Sequence, residues 1–269
     1  MLHRQLISPF RRRIGGWSSA IVALIIDYTA TQFDFKFKLP STKTVTLHWG
    51  DGTSEEVVGQ DAVEISKTSS YSGAGSYKFW ISGDDTDITY IKLDNDIDNS
   101  CDMSKWSALT SLTDLIIPGI ITLSGAPPPS LTYLYLHGDS INWTYSGALP
   151  TGLTYLRLIG SSINWTYSGA LPTGLTYLYL NGGSINWTGL DIGDTGNITY
   201  LGLSDYRDAK MSSADMITLL TQMENRTGSL PVTVTINDYA DFASPPAGVT
   251  DAVDSLKTAK SITTVTLGA

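Results

Sequence analysis

The sequence contains very little cysteine or histidine among its 269 residues. Cys101 is the single cysteine, so no intramolecular disulfide can hold the fold together. The histidines are His3, His48 and His137, which leave little material for a metal centre or a catalytic triad. Motifs typical of serine hydrolases, zinc proteases, paired-cysteine metal sites and phosphate loops are also absent. We therefore expect a protein that is not an enzyme and that uses no cofactor and no metal.

Charged residues are also scarce, at 16% of the chain, while apolar residues make up 42%. This composition argues against a disordered acidic chain and against a highly charged helical bundle. The net charge is −9, but residues 1–26 carry four arginines and no acid, which leaves −13 on the rest of the chain. Because this main body repels phosphate backbones, we do not expect the protein to bind nucleic acid.

The N-terminal segment combines these arginines with an apolar run, Trp17–Ile26. The run is about ten residues long, too short to span a bilayer, and Asp27 and Tyr28 interrupt any small-x-small cleavage site after it. We predict that residues 1–28 form an uncleaved basic arm that anchors the chain to a partner, with a buried strand at Ala20–Ile26. The anchoring residues would be Arg4, Phe10, Arg11, Arg12, Arg13 and Trp17. A cleaved signal peptide and a frayed tail are the alternatives.

A first β-domain is predicted over residues 29–84. Its opening segment alternates large apolar residues with polar ones, which is typical of a half-buried strand: Phe33, Phe35, Phe37 and Leu39. A second strand ends at Asp51–Gly52, a tight-turn signal in which the aspartate caps the turn. We further expect a turn at Gly73–Gly75 and a last strand at Tyr77–Ser82.

Two motifs in this domain resemble those of the PKD-like family of immunoglobulin-like β-sandwiches. The first is the WGDGT turn, Trp49–Thr53, and the second comprises Tyr71, Gly75 and Tyr77. Serines at 69–70 stand where the family usually has a histidine before the tyrosine. The resemblance implies a β-sandwich that serves as a spacer or adhesion module rather than as an enzyme.

Internal repeats are the strongest feature of the sequence. Near-identical copies of 22 or 23 residues occupy 131–152, 153–174 and 175–197, and weaker copies begin at Ile88, Leu112 and Ile198. Apolar residues recur at fixed inward positions, which in the first full copy are Leu131, Leu134, Leu136 and Ile141. A single copy cannot bury its own apolar face, so the copies must stack on one another. We predict a solenoid over residues 85–205.

The repeat pattern resembles that of leucine-rich-repeat proteins, whose period falls in the same range. This resemblance implies one continuous leucine core along the solenoid. The asparagine that the family usually carries at the ninth position is replaced by Asp139, Ser161 and Gly183 in the three copies. We therefore expect the usual ladder of buried asparagine side chains to be missing or replaced.

The C-terminal part, residues 206–269, is predicted to be an α/β cap made of irregular final repeats. Ser212–Met223 has four apolar residues on one helical face: Met216, Leu219, Leu220 and Met223. A strand at Val232–Ile236, a helix at Thr250–Lys260 and a strand at Ile262–Leu267 follow. The predicted fold class is mainly β, with a PKD-like β-sandwich followed by a leucine-rich-repeat solenoid and a C-terminal α/β cap.

The residues between the leucines of each repeat strand are expected to point outward. They form two columns, Tyr90, Asp114, Tyr133, Tyr155, Tyr177, Tyr200 and Lys92, Ile116, Tyr135, Arg157, Tyr179, Gly202. Tyrosine offers a flat apolar ring and a hydroxyl group at low entropic cost, which suits the recognition of sugars or protein surfaces. The predicted ligand-binding residues are Tyr133, Tyr135, Tyr155, Arg157, Tyr177, Tyr179 and Tyr200. The alternative is that the tyrosine ladders only stabilise the sheet.

Three further groups of residues have structural rather than functional interpretations. A tryptophan ladder, formed by Trp143, Trp165 and Trp187, is predicted to pack inside the solenoid. The acidic cluster of Asp94, Asp96 and Asp98 resembles the start of a calcium loop, but Asn99 and Lys105 replace the glycine and glutamate that such a loop needs. We favour a solvated turn there. His137 and Asp139 lie two residues apart, but no motif ties a nucleophile to them.

This combination of a basic arm, a small β-domain and Gly/Thr/Ser-rich repeats resembles virion fibre and capsid-decoration proteins of bacteriophages. It implies a non-enzymatic structural protein at the virion surface, bound to other virion proteins through the arm. The repeat face would bind a host surface glycan or protein, and no membrane span is expected. The alternative is a secreted or cell-surface bacterial adhesin with a signal peptide. A glycan-degrading enzyme needs a pair of carboxylates, and the outward columns offer only Asp114.

Overall fold

The fold was analysed in a computed structural model. It describes residues 25–93, 98–143, 145–165, 169–182, 192, 198–204, 212–225, 233–237, 247–260 and 264–267. Several of the predictions fall outside these residues: those for Arg4, Phe10, Arg11, Arg12, Arg13, Trp17, Asp94, Asp96 and Trp187. The chain is mainly β, with strands stacked in the manner of a β-solenoid and two helices near the C-terminus.

The first β-domain is an antiparallel arrangement of four strands: β1 (Ile25–Lys38), β2 (Thr44–His48), β3 (Ser54–Val58) and β4 (Ile65–Gly83). Strand β4 pairs with β1 and β2, and β2 also pairs with β3. The alternating phenylalanines of β1 are fully buried, as their period of two predicts. They pack against Phe79 and Trp49, with ring centroids about 5 to 6 Å apart.

The WGDGT segment forms the tight turn that its residues predict. The Asp51 carboxylate accepts hydrogen bonds from the Thr53 backbone N–H at 2.8 Å and from the Thr53 hydroxyl at 2.6 Å. Gly50 and Gly52 have φ angles of +87° and +95°, a region that favours glycine. Both hydrogen bonds lower the pKa of the Asp51 carboxyl group. Asp51 therefore has a structural role in the turn.

The predicted turn at Gly73–Gly75 is wrong, because β4 continues through this segment to Gly83. The glycines instead lie in a bulge, where residues 71–74 stand opposite Thr31 alone. The rings of Tyr71 and Tyr77 stack across the bulge with centroids 3.9 Å apart, and the Tyr71 hydroxyl donates to the Trp49 carbonyl oxygen at 2.9 Å. Pairing with β1 thus outweighs the local tendency of the glycines to turn.

The repeats form two parallel ladders of strands. The front ladder contains β5 (Tyr90–Leu93), β7 (Asp114–Pro118), β9 (Tyr133–His137), β11 (Tyr155–Ile159), β13 (Tyr177–Asn181) and β14 (Tyr200–Ser204). The back ladder contains β6 (Asp98–Asp102), β8 (Ile121–Ser124), β10 (Ser140–Trp143) and β12 (Ser162–Trp165). Short 3-10 helices lie at Asp85–Asp87 and Met103–Ala108. Equivalent residues of successive copies lie side by side in both ladders.

The interior between the ladders is the continuous apolar core that the repeat pattern predicts. Leu134, Leu136 and Ile141 have no solvent-exposed surface. Trp143 is also fully buried, which confirms that it packs inside the solenoid. The first full copy therefore supplies Leu134 and Leu136 from the front ladder and Ile141 and Trp143 from the back ladder.

Strand β1 covers one end of both ladders. Its residues Phe35–Lys38 pair with β5, and its residues Asp27–Thr29 pair with β6, antiparallel in both cases. One long strand thereby pairs with the first strand of each ladder, so the first β-domain covers an end of the solenoid. Closing strand edges in this way prevents unwanted pairing with other chains.

A ladder of threonine hydroxyl groups runs along the start of the front strands. Each hydroxyl donates to the backbone carbonyl of the threonine one coil earlier, at 3.0 to 3.2 Å. The series is Thr89, Thr113, Thr132, Thr154, Thr176 and Thr199. These bonds add to the backbone hydrogen bonds that the same carbonyls accept. The threonines occupy the second position of each copy, not the ninth. At the ninth position the Ser161 hydroxyl group donates to the Asp139 carbonyl oxygen at 2.8 Å.

The C-terminal elements match the four predicted from the sequence: α1 (Ser213–Asn225), β15 (Thr233–Asn237), α2 (Ala247–Lys260) and β16 (Thr264–Leu267). Strand β15 pairs in parallel with β14, and β16 pairs in parallel with β15, so both extend the front ladder. The predicted apolar face of α1 is buried: Met216, Leu219, Leu220 and Met223. Within the described parts of the chain, neither helix is long and apolar enough to cross a membrane.

Candidate ligand-binding face

The structure brings all seven predicted ligand-binding residues onto the outer side of the front ladder. Tyr133, Tyr155, Tyr177 and Tyr200 lie side by side in one row, and Tyr135, Arg157 and Tyr179 lie side by side in the next. Their side chains are partly exposed, whereas the leucines between them are buried. The period of two along each strand therefore places the columns as the sequence predicts.

The first row is a continuous stack of tyrosine rings, which we call the tyrosine spine. Successive ring centroids are 4.2, 4.1 and 4.4 Å apart, and the ring planes differ by 13°, 11° and 7°. Because each ring covers the face of its neighbour, the inner members present mainly their edges and hydroxyl groups to a ligand. Tyr200, at one end, is 43% exposed and is the most accessible ring of the spine.

Two hydroxyl groups of the spine, those of Tyr133 and Tyr177, have a raised pKa. Burial raises the pKa of Tyr133 to about 12, and a hydrogen bond with Tyr155 adds to the effect. Burial followed by a hydrogen bond with Tyr155 also raises the pKa of Tyr177. Tyr133 and Tyr177 therefore present neutral hydroxyl groups that can donate and accept hydrogen bonds.

Arg157 lies between two aromatic rings in the second row. The central carbon of its guanidinium group is 4.8 Å from the centroid of Tyr135 and 5.4 Å from that of Tyr179. Burial opposes the charge, but a hydrogen bond with Tyr155 and the surrounding tyrosines raise the pKa of Arg157 overall. The Nε atom is buried and has no hydrogen-bond partner in the described part of the chain.

The positive charge of Arg157 is also without a carboxylate partner. Ion pairs among the described residues lie elsewhere: Lys43–Asp87, Lys67–Glu55, Lys105–Asp102 and Lys257–Asp254. In the sequence, Arg157 is the only lysine or arginine between Trp106 and Tyr206. Within the three full copies of the repeat, Arg157 is therefore the one cation, and no carboxylate of the described residues pairs with it.

A groove of about 320 Å³ opens beside the second row, where the front strands turn toward the back ladder. Its lining comprises Tyr135, His137, Gly138, Asp139, Ile159, Gly160 and Ser161. The imidazole ring of His137 stacks on Tyr135 with centroids 4.9 Å apart. The two glycines keep the turn narrow, since a Cβ atom on Gly138 would collide with the backbone oxygen of Gly119.

The sequence prediction did not include the groove residues His137, Asp139, Ile159 and Ser161. A signal for them exists in the repeats themselves. The first fourteen residues of the three full copies are identical except at the fifth, seventh and ninth positions. In the first two copies these positions are 135, 137, 139 and 157, 159, 161. Five of these six residues line the groove, and the sixth is Arg157.

A second groove, of about 330 Å³, lies on the back ladder. It is lined by Lys78, Ser100, Cys101, Asp102, Lys105, Thr122 and Ser124. The Asp102 carboxylate accepts a hydrogen bond from the Ser104 backbone N–H at 3.0 Å, so it is engaged in a local turn. In the described parts of the chain, no three His, Cys, Asp or Glu side chains are grouped to hold a metal ion. This groove has no aromatic lining.

Comparisons of the chain with protein-family models, with curated proteins and with solved structures gave no match.

Proposed function

We propose that the protein is a non-enzymatic binding protein that attaches to a host-surface glycan or protein through the outer face of its front ladder. The observation that carries this proposal is Arg157, held between Tyr135 and Tyr179 with no carboxylate partner among the described residues. Arginine and tyrosine contribute a disproportionate share of the energy at binding surfaces. Hydrogen-bonded strands hold these side chains in place, so little entropy is lost when a ligand binds.

The proposed setting is a bacteriophage virion. There the leucine-rich-repeat solenoid and the PKD-like domain would project from the particle, and residues 1–28 would anchor the chain to other virion proteins. The alternative, a secreted or cell-surface bacterial adhesin, requires cleavage near residue 26. Ile25 and Ile26 pair with Trp80 and Phe79 in the β1–β4 ladder, which supports a chain that keeps its N-terminal segment.

Peptide mass spectrometry distinguishes the two settings. It would be applied to purified virus particles and to the cell-envelope fraction of the source culture. Recovery from virions of a peptide spanning Arg4–Arg11, at the stoichiometry of a structural protein, is the expected result. Recovery from envelopes alone, with a chain that starts after about residue 26, would establish the adhesin and overturn the virion assignment.

The binding face is tested by attachment of the fluorescently labelled full chain to host cells. The double variant Tyr135→Ala/Tyr179→Ala removes both rings around Arg157, and we expect it to attach at least about tenfold more weakly. The matched control is Asn142→Ala/Asn164→Ala, which changes the same coils on the back ladder and should attach like the wild type. Equal attachment by both well-folded variants would overturn the proposal.

A further inference from the structure

Over the first fourteen positions of the three full copies, the described residues that vary lie on one surface of the molecule. The residues at the fifth position are Tyr135, Arg157 and Tyr179, and those at the seventh are His137, Ile159 and Asn181. Each set occupies one row across the front ladder. The other eleven of the first fourteen positions keep the same residue in all three copies. The shared residues build the scaffold, and the varied ones face the groove and its rim.

The positions that differ between the first two copies are partly or fully exposed, so the two copies present different side chains at the surface. The first two copies differ at only three of their 22 positions, all of them in or beside the groove. Together they place an acid, an imidazole ring and an aliphatic side chain around one cavity, and the Arg157 guanidinium group lies beside it, 4.8 Å from the ring centroid of the lining residue Tyr135. Such a mixed set is typical of a site that orients a single polar ligand.

We infer that this groove binds a carboxylated sugar unit of an acidic glycan, with Arg157 pairing with the sugar carboxylate. This inference rests on the proposed function, because it names the ligand class of the same face. A planar guanidinium group matches a carboxylate with two parallel hydrogen bonds. The pairing supplies the carboxylate that Arg157 lacks among the described residues, whose ion pairs lie elsewhere.

The remaining lining residues define the rest of the ligand. The Asp139 carboxylate offers acceptors for sugar hydroxyl groups, and Ile159 offers an apolar contact for the C–H face of the ring. The Ser161 hydroxyl group donates to the Asp139 carbonyl oxygen at 2.8 Å, so its oxygen can serve the ligand as an acceptor. The Asp139 carboxylate also repels a second negative group at its end of the groove. The site therefore favours one carboxylate per recognised unit over a densely sulfated or phosphorylated polymer.

A sugar fits this place better than a peptide strand does. The groove of about 320 Å³ is at the lower end of the size range of small-molecule sites, about 300 to 1,000 Å³. Strands β9 and β11 already have hydrogen-bonded neighbours on both sides, so an extended peptide cannot add to the sheet there.

The test is binding of the labelled full chain to an array of sialylated and uronate-containing oligosaccharides, printed beside their desialylated or carboxyl-reduced counterparts. We expect the wild-type chain to bind acidic members about ten- to a hundredfold more tightly than their neutral counterparts. Arg157→Tyr should abolish this preference. Because tyrosine is the residue of both neighbouring copies, this variant preserves the aromatic row, and unfolding curves would verify its fold. Arg157→Lys keeps the charge without the paired geometry and should retain part of the preference.

Equal binding of acidic and neutral sugars by the wild-type chain, or a preference that survives Arg157→Tyr, would overturn the inference. The proposed function would still stand if the Tyr135→Ala/Tyr179→Ala variant lost attachment to cells. Binding to no sugar on the array would likewise overturn the inference. Both ideas would fail together only if attachment to cells were also unaffected by that double variant.

Discussion

The two ladders of the solenoid are made by the same coils, yet their outer faces differ in kind. The front face carries stacked tyrosines, Arg157 and the varied positions of the repeat, while the back face carries small polar residues. On the back, Asn164 donates to the Asn142 amide oxygen at 3.1 Å, and both asparagines are the same in every full copy. Inside, both faces rest on one core of leucine, isoleucine and tryptophan. Uniform residues thus mark the scaffold, and varied residues mark the surface that we propose for binding.

We expect the largest loss of stability from a substitution in the turn between the two ladders. Gly138→Ala would place a Cβ atom against the backbone oxygen of Gly119, and a backbone atom cannot move aside without disturbing both ladders. We expect a loss of about 3 kcal/mol in the free energy of unfolding, measured with chemical denaturant. In the control Gly152→Ala, the nearest atom to the new Cβ is 3.9 Å away, so stability should hardly change. Equal losses in the two variants would contradict this account.

One substitution on each outer face compares how much the two faces contribute to the free energy of unfolding. Tyr155→Ala deletes a ring that stacks on Tyr133 and Tyr177, and we expect a loss of about 1 to 2 kcal/mol. Asn164→Ala, on the back face of the same coil, should cost about 0.5 kcal/mol. Thermal unfolding of the two variants measures the difference. If the asparagine variant proved the less stable, the front stack would not be the stronger of the two.

The hydrogen bonds of the threonine ladder stabilise the front strands, and one of them can be removed by a substitution that keeps the shape of the side chain. In the wild type, the Thr154 hydroxyl group donates to the Thr132 carbonyl oxygen at 3.1 Å. The variant Thr154→Val keeps the side-chain volume but loses this hydrogen bond. A loss of about 1 kcal/mol is expected, with Thr154→Ser retaining most of the wild-type stability. Equal stability of the valine and serine variants would show that the hydroxyl group contributes nothing.

The smallest expected effect is a dependence of stability on alkaline pH. The pKa of Tyr133 is raised by burial to about 12, above its ordinary value, so its contribution is fully present below about pH 10. That contribution should be lost as the pH rises from about 10 through about 12, because the unfolded chain ionises first. Denaturant unfolding at a series of pH values, with Tyr133→Phe as the control, measures it. The same alkaline loss in the phenylalanine variant would assign the effect to another group.

Much of the fold follows from short-range patterns in the sequence. The spacing of Met216, Leu219, Leu220 and Met223 suffices to predict α1, because a helix brings those positions to one face. The outer columns follow from the alternation of the repeat strands. In the back ladder, β8, β10 and β12 alternate apolar and polar residues, but β6 contains no large apolar residue and is therefore harder to predict.

The features that the sequence did not reveal depend on partners far away in the chain. The bulge at residues 71–74 exists because β4 pairs with β1, which local glycine preferences cannot show. The acceptor of each threonine hydroxyl lies one coil away. The groove is formed by two copies together, so neither copy alone indicates it. Its residues become visible only when the copies are compared position by position.

The most direct test of the central claim makes the second copy identical to the first. The triple variant Arg157→Tyr/Ile159→His/Ser161→Asp achieves this over all 22 residues while leaving every scaffold residue in place. Binding to host cells and to the acidic oligosaccharide array would be measured beside denaturant unfolding. We predict wild-type stability to within about 0.5 kcal/mol and a loss of binding. Undiminished binding by this folded variant would show that the differences between the repeats do not form the binding site.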